Sequence, residues 1–178
     1  MRIDFKPGNM LYPVPVVMVS CGDNEGRSDI VTVAWTGTVC TNPPMVYISL
    51  RPSRYSYDII KKSGEFVINL TNEKLVKKAD ECGVRSGRDI DKWKVLKIEQ
   101  LPSKVVAASS IKESPVCIEC KVEDIIELGS HHMFIAKVVA VNVDAKYMDE
   151  KNNIIYLNPG ALQDKKYVIY NGKKFEQK

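Results

Sequence analysis

What this sequence lacks narrows its function before any residue is placed. No stretch approaches the roughly 18 uninterrupted apolar residues of a spanning helix, so no membrane segment is expected. The opening run Met1-Arg2-Ile3-Asp4-Phe5-Lys6-Pro7-Gly8 has no apolar h-region of a signal peptide. A cytoplasmic address with reduced thiols is the expectation that follows. No GxGxxG follows a strand-like run, and P-loop, HExxH and GxSxG motifs are absent too. Histidine is scarce. The two present, His131 and His132, are adjacent in an apparent strand and would face opposite ways, so no metal site is expected. Basic runs interleaved with aromatics are missing as well. The lysine pairs Lys61-Lys62, Lys77-Lys78, Lys165-Lys166 and Lys173-Lys174 are scattered, which reads as solvated faces and argues against nucleic acid. The net charge of +4 still favours an anionic small ligand or an acidic partner.

The five cysteines are an odd number, and Cys21, Cys40 and Cys82 are dispersed. Cys117-Ile118-Glu119-Cys120 is formally a CxxC, either a redox pair or half a zinc site. It sits in an alternating strand pattern, however. Residues three apart in a strand point to opposite faces, so the two thiols are expected to diverge, one into the core.

What is present describes an ordinary globular chain. With 178 residues, 44% hydrophobic and 27% charged, it fits a single domain over residues 1–178 that can bury a core without disulfides or metal. Short apolar runs dominate: Val14 to Cys21, Asp29 to Trp35, Met45 to Leu50, Glu65 to Leu70, Val116 to Ile126, Met133 to Asp144, and Tyr167 to Tyr170. A turn is expected at Gly22-Asp23-Asn24-Glu25-Gly26. Two helices interrupt the series. One starts near Ser53 and stops at Gly64; the other is capped by Asn72, buries Leu75, Val76, Ala79 and Cys82, and stops at Gly83. Many strands without a βαβ rhythm predict a closed or partly closed antiparallel barrel with peripheral helices.

Three segments carry unusual chemistry. Thr32-Val33-Ala34-Trp35-Thr36-Gly37-Thr38 sets a large aromatic before small hydroxyl residues, either as a core tryptophan and loop or as the edge of a ring-binding site. Ser49-Leu50-Arg51-Pro52-Ser53-Arg54-Tyr55-Ser56-Tyr57-Asp58 brings arginines, serines and a helix start together. Free N–H groups, a helix dipole, hydroxyls and guanidinium forks in one place suit a phosphate. Cys82 to Trp93, with Gly83 and Gly87 and alternating charges, reads as a polar connection.

Taken in order, these segments resemble the flavin reductase-like, FMN-binding split-barrel family. The resemblance rests on Ala34-Trp35-Thr36-Gly37, the run from Pro43 to Tyr57, Ser63 to Leu70, and Ser86-Gly87-Arg88-Asp89-Ile90-Asp91-Lys92-Trp93. It continues through Glu113-Ser114-Pro115, Glu119-Cys120-Lys121-Val122 and Leu128-Gly129-Ser130-His131-His132, and is strongest toward the flavoredoxin branch. The family implies a mainly β split antiparallel barrel with peripheral helices, a homodimer, and two FMN sites formed with help from the dimer interface. By the same resemblance, Trp35, Thr36, Gly37 and Thr38 would line the flavin, and Ser49, Leu50 and Arg51 would pass its ribityl chain. Arg54, Ser56 and Tyr57 would address the phosphate, while Lys92 and His131 would approach from flanking loops.

In such a protein the flavin carries the redox chemistry and no side chain need be catalytic. Lys92 is the candidate cation beside the N1–C2=O edge, its alternative being a plain surface lysine. Three functions remain open: an NAD(P)H-dependent flavin reductase using NADH or NADPH, a flavoredoxin-like carrier fed by a redox-protein donor, and a barrel for a non-redox ligand or nucleic acid. The match loosens after Asp144, and Pro159 to Tyr167 is the segment that would decide what covers the flavin face.

Overall fold

Alternation with a period of two builds the molecule. A computed structural model of the chain describes residues 1–151 in full and, beyond them, the backbone of three further strands. In chain order the elements begin with β1 (Val14–Pro15), β2 (Val17–Gly22), β3 (Ser28–Val33), β4 (Thr36–Cys40), β5 (Met45–Leu50), α1 (Tyr55–Ser63) and β6 (Glu65–Leu70). A 3₁₀ turn, Glu73–Leu75, leads into α2 (Val76–Val84) and then α3 (Lys92–Val95). There follow β7 (Gln100–Leu101), β8 (Ser110–Ile111), β9 (Val116–Leu128), β10 (His131–Val143), β11 (Gly160–Gln163), β12 (Lys166–Tyr170) and β13 (Phe175–Gln177).

Seven strands form one antiparallel sheet in the order β3-β2-β6-β9-β10-β5-β4, and β1-β11-β12-β13 form a second. The mainly β split-barrel architecture follows from residues that alternate faces. Val17, Val19 and Cys21 of β2 point inward with Val31, Val33, Ile48, Leu50, Phe66, Ile68, Cys120 and Phe134, and α1 closes this core with Tyr57, Ile59 and Ile60. The opposite face is also covered. Met18 and Ile30 pack there against Leu75, Ala79, Cys82, Trp93 and Ile98 from the 3₁₀ turn, α2, α3 and the chain beyond.

The hairpin β9–β10 supplies the longest pairing, with register shifts between Ile135 and Ala136 and between Val138 and Ala140 that bend it. Cys117 and Cys120 diverge as expected. Cys120 joins the inner core, whereas Cys117 lies beneath Val106 and Ala108, so both are buried and all five thiols are free.

Helix ends match their chemistry in two places and depart in one. Gly64 closes α1 in the left-handed conformation, φ 70°, its N–H donating to Ile60 O at 2.9 Å. Asn72 Oδ1 accepts from Leu75 N at 3.2 Å. Gly83, however, does not end α2. The helix runs through Val84, and extended backbone at Arg85 stops it. Thr36–Cys40, outside the expected strand runs, is a strand against β5, and the polar connection carries the short helix α3, N-capped by Asp91.

Candidate functional site

The turn between β5 and α1 is where local sequence creates a site. Leu50 anchors the end of β5 in the core. Pro52 then biases Arg51 toward extended backbone, and Arg54 N donates to Arg51 O at 3.0 Å. Both arginines therefore bracket one tight turn and are exposed. Arg54 is the N-cap of the nine-residue α1, with extended backbone and no side-chain bond closing the helix end. Within the first helical turn Ser56 is fully buried, and its Oγ has no hydrogen-bond partner among the described residues.

Charge distribution singles out the same turn. Arg27 pairs with Asp23 at 2.7 Å, Arg85 with Glu81 at 3.0 Å and Arg88 with Asp58 at 3.9 Å. Arg51 and Arg54 hold no carboxylate among the described residues. Their positive field is left for something else.

Two adjoining hollows meet at these arginines. One, of about 320 Å³, is lined by Trp35, Ser49, Leu50, Arg51, Arg54 and His131, with Val84 of α2 at its edge. The other, of about 390 Å³, is lined by Arg51, Ser53, Arg54, Ser56, Ser86 and Lys92. A third, of about 790 Å³, lies against Trp35 and is walled by Gly8 to Pro15 and Tyr47. Trp35 is thus no core residue. It is 39% exposed at the bend between β3 and β4, fixed by Ser49 N donating to its carbonyl at 2.8 Å. Its ring lies parallel to that of His131, centroids 6.1 Å apart.

The two histidines separate as strand neighbours must. His131 stays with the groove, its Nδ1 2.9 Å from Ser130 Oγ. Burial, with help from Arg51 and Arg54, holds its pKa below the ordinary value. His132 Nδ1 lies 2.7 Å from Tyr57 Oη on the other side, which spends that hydroxyl.

Lys92 is neither a surface lysine nor a free cation. It is 3% exposed, 3.0 Å from Asp29 Oδ1, and donates to Ile30 O at 2.5 Å and Cys82 O at 3.4 Å. The reason is tertiary: α3 turns Lys92 onto the acid that β3 carries among apolar residues. Burial raises the Asp29 pKa and Lys92 opposes that rise. Gly87 allows this packing, because a Cβ there would clash with Asp29 and come within 2.6 Å of the Tyr55 ring.

Of the residues expected here, Trp35, Ser49, Leu50, Arg51, Arg54, Ser56 and His131 come together, with Lys92 at one end behind its ion pair. Tyr57 does not. One helical step from Ser56, it turns into the core at 4% exposure. Thr36 spends its hydroxyl on Tyr47 O at 2.6 Å and lines the third hollow instead. Gly37 and Thr38 lie along β4, outside the lining of the groove. Sequence reasoning missed Asp29 and Arg85. An acid inside an apolar strand was the available signal for the first, whereas the second reaches the site only through the unforeseen end of α2. The Pro159 to Tyr167 segment, expected to decide what covers the flavin face, lies outside the residues whose side chains are described.

Comparison with known proteins bears on this groove. Residues 9–172 match the flavin reductase like domain. The chain belongs to that family. Flavoredoxin of Desulfovibrio vulgaris superposes with a TM-score of 0.89 at 28% identity, covering 100% of this chain and 97% of that one. A flavin reductase of Pseudomonas putida is 26% identical over 136 residues, 76% of each chain. An FMN-binding protein from Thermus thermophilus, 21% identical, shares the fold with a TM-score of 0.78 over 99% of this chain and 96% of its own. The residues of the groove fit such a cofactor: an unpartnered buried hydroxyl and two unneutralised arginines for a phosphate, and an exposed indole for a planar ring.

Proposed function

We propose that this protein binds FMN along the groove and serves as an NAD(P)H-dependent flavin reductase. The observation that carries the reading is the convergence of Arg51, Arg54 and the unpartnered buried Ser56 Oγ at the open N-terminus of α1. FMN supplies the hydride and electron chemistry when bound. The chain's own residues do the rest. Arg51, Arg54 and Ser56 hold the phosphate, Ser49 passes the ribityl hydroxyls, and Trp35 and His131 border the ring.

The test compares FMN with riboflavin, which lacks only the phosphate. Each lost charge-assisted bond is worth about 1.5–3 kcal/mol, so Arg54→Ala and Ser56→Ala are expected to weaken FMN binding roughly tenfold or more while leaving riboflavin nearly unchanged. Equal losses for both flavins would remove the phosphate assignment.

A second reading has its own support. The likeness to a flavoredoxin extends over the whole chain at 28% identity, which favours an electron carrier fed by a redox protein. Anaerobic stopped-flow mixing of the FMN-bound protein with NADH or NADPH separates the two. Bleaching within seconds supports the reductase; a flavin that answers only to dithionite or a reduced protein donor supports the carrier. We also infer a homodimer, because Ile3, Phe5, Met10 and Leu11 stand 88%, 75%, 70% and 85% exposed on one N-terminal arm. Light scattering giving the 20.0 kDa mass of one chain would end that inference.

A further inference from the structure

His131 borders the groove yet has no assigned work there. Its surroundings are all of one sign. Arg51 and Arg54 line the same hollow, Trp35 and Val84 add no charge, and Ser130 offers only a hydroxyl to Nδ1. No carboxylate lines that hollow among the described residues. The nearest acid in the adjoining hollow, Asp29, is held by Lys92, and Glu127 lies toward His132 on the opposite face at 3.7 Å. Burial first, and the two arginines second, bias an imidazole so placed toward its neutral form. The arginines' share of that preference is cancelled when a phosphate or another anion settles between them, and the anion then draws a proton toward the ring. With Nδ1 engaged by Ser130 Oγ, the other nitrogen, Nε2, is the one left to exchange its proton or partner with the groove.

We infer that His131 is the proton-accepting member of the groove, taking up a proton from solvent as negative charge enters between Arg51 and Arg54. Anion binding is then proton-linked through His131. For FMN as the anion, this rests on the reading of the groove given above. The linkage also has a direction. Because the His131 pKa is higher in the occupied groove, binding through this residue tightens as pH falls and weakens as pH rises through the occupied-state value.

Two histidines in the chain make the test direct. Side-chain resonances of labelled histidine are followed from pH 5 to 8 in the wild type, with His131→Gln giving the assignment and His132 the reference signal in the same spectrum. Saturation with FMN is expected to raise the His131 titration midpoint by about one unit. Without any flavin, Arg51→Gln and Arg54→Gln are each expected to raise it, by less than bound FMN does. Between pH 5 and 8 the ratio of FMN Kd in wild type to that in His131→Gln should change about tenfold, the phosphate's own titration being common to both. A His131 midpoint unmoved by both arginine substitutions overturns the inference, as does one unmoved by bound FMN. Failure of FMN to bind at all would instead overturn the flavin reading, and the arginine variants would still decide the role of His131.

Discussion

Lys92→Met is the substitution that most sharply separates a cation beside a flavin from a buried ion pair. Lys92 and Asp29 are each 3% exposed and 3.0 Å apart, so removing the lysine strands a carboxylate that water cannot reach. Breaking a buried pair from one side costs about 3–5 kcal/mol. For a chain of this size each kcal/mol moves Tm by about 2–4 °C, which gives a fall of roughly 6–20 °C at pH 7. The pH dependence has a fixed sign. Burial already raises the Asp29 pKa, and loss of Lys92 raises it further. The penalty is therefore complete above that raised folded-state value and fades as acid protonates Asp29, so the deficit in Tm against wild type shrinks on acidification. Asp29→Asn combined with Lys92→Met should recover most of the loss, because neither charge is then left alone. Circular dichroism melts of the three proteins at pH 7 and pH 5 provide the measurement. A single variant melting within 2 °C of wild type, or a deficit that grows in acid, would refute the ion-pair account.

Three further outcomes follow from the packing of buried groups. Glu119 is fully buried; burial opposes its charge, but N–H groups of Lys104, Val105 and Val106 and the Asn142 amide outweigh that and hold its pKa below the ordinary range. Its contribution is present above the unfolded-state value and is lost as pH falls through the folded one. Glu119→Gln should therefore cost about 2 kcal/mol at pH 7 in urea melts and converge with wild type in acid. Gly87→Ala drives a methyl group into Asp29 and Tyr55 and should cost about 1–3 kcal/mol, with weaker FMN binding by fluorescence titration. Iodoacetamide should modify native protein once, at the half-buried Cys40, because burial pushes the Cys82 and Cys120 thiols up to about 12; mass spectrometry finding two or more adducts would contradict this.

The strands and the first helix were legible because their signals are local. Mostly apolar, β-branched runs in Val17 to Cys21 and Glu65 to Leu70 mark strands buried on both faces, and Gly64 states where α1 ends. The arginine and serine turn was legible for the same reason, since Arg51, Pro52, Arg54 and Ser56 lie within one turn of chain. What escaped depends on partners distant in sequence. Nothing near Lys92 reveals that it will meet Asp29, and nothing near Tyr57 reveals that His132 will take its hydroxyl. Trp35 misleads in the opposite way. Its size argues for the core, but the β3–β4 bend leaves its ring beside the groove. Gly83 looked like a helix stop, yet α2 gains enough from burying Ala79 and Cys82 to continue past it.

Lys92 still matters to the groove, though through another residue. Asp29, Arg54 and Ser56 line the same hollow, and Arg54 already acts on the Asp29 carboxyl. Left unpaired, that carboxylate would oppose any phosphate arriving at α1 and compete for the arginine meant to receive it. At an effective dielectric near 20, one unit charge at 6–8 Å is worth about 2–3 kcal/mol before salt screening, enough to weaken a dianion by more than tenfold. By neutralising Asp29 inside the protein, Lys92 leaves Arg51 and Arg54 as the charges the ligand meets. FMN affinity should therefore fall in Lys92→Met and return in the Asp29→Asn, Lys92→Met pair, with riboflavin indifferent to both. The flavin reduction potential of the pair should match wild type, since it removes two charges that already cancel. A potential that drops in the pair while FMN stays bound would restore Lys92 as the cation beside the ring.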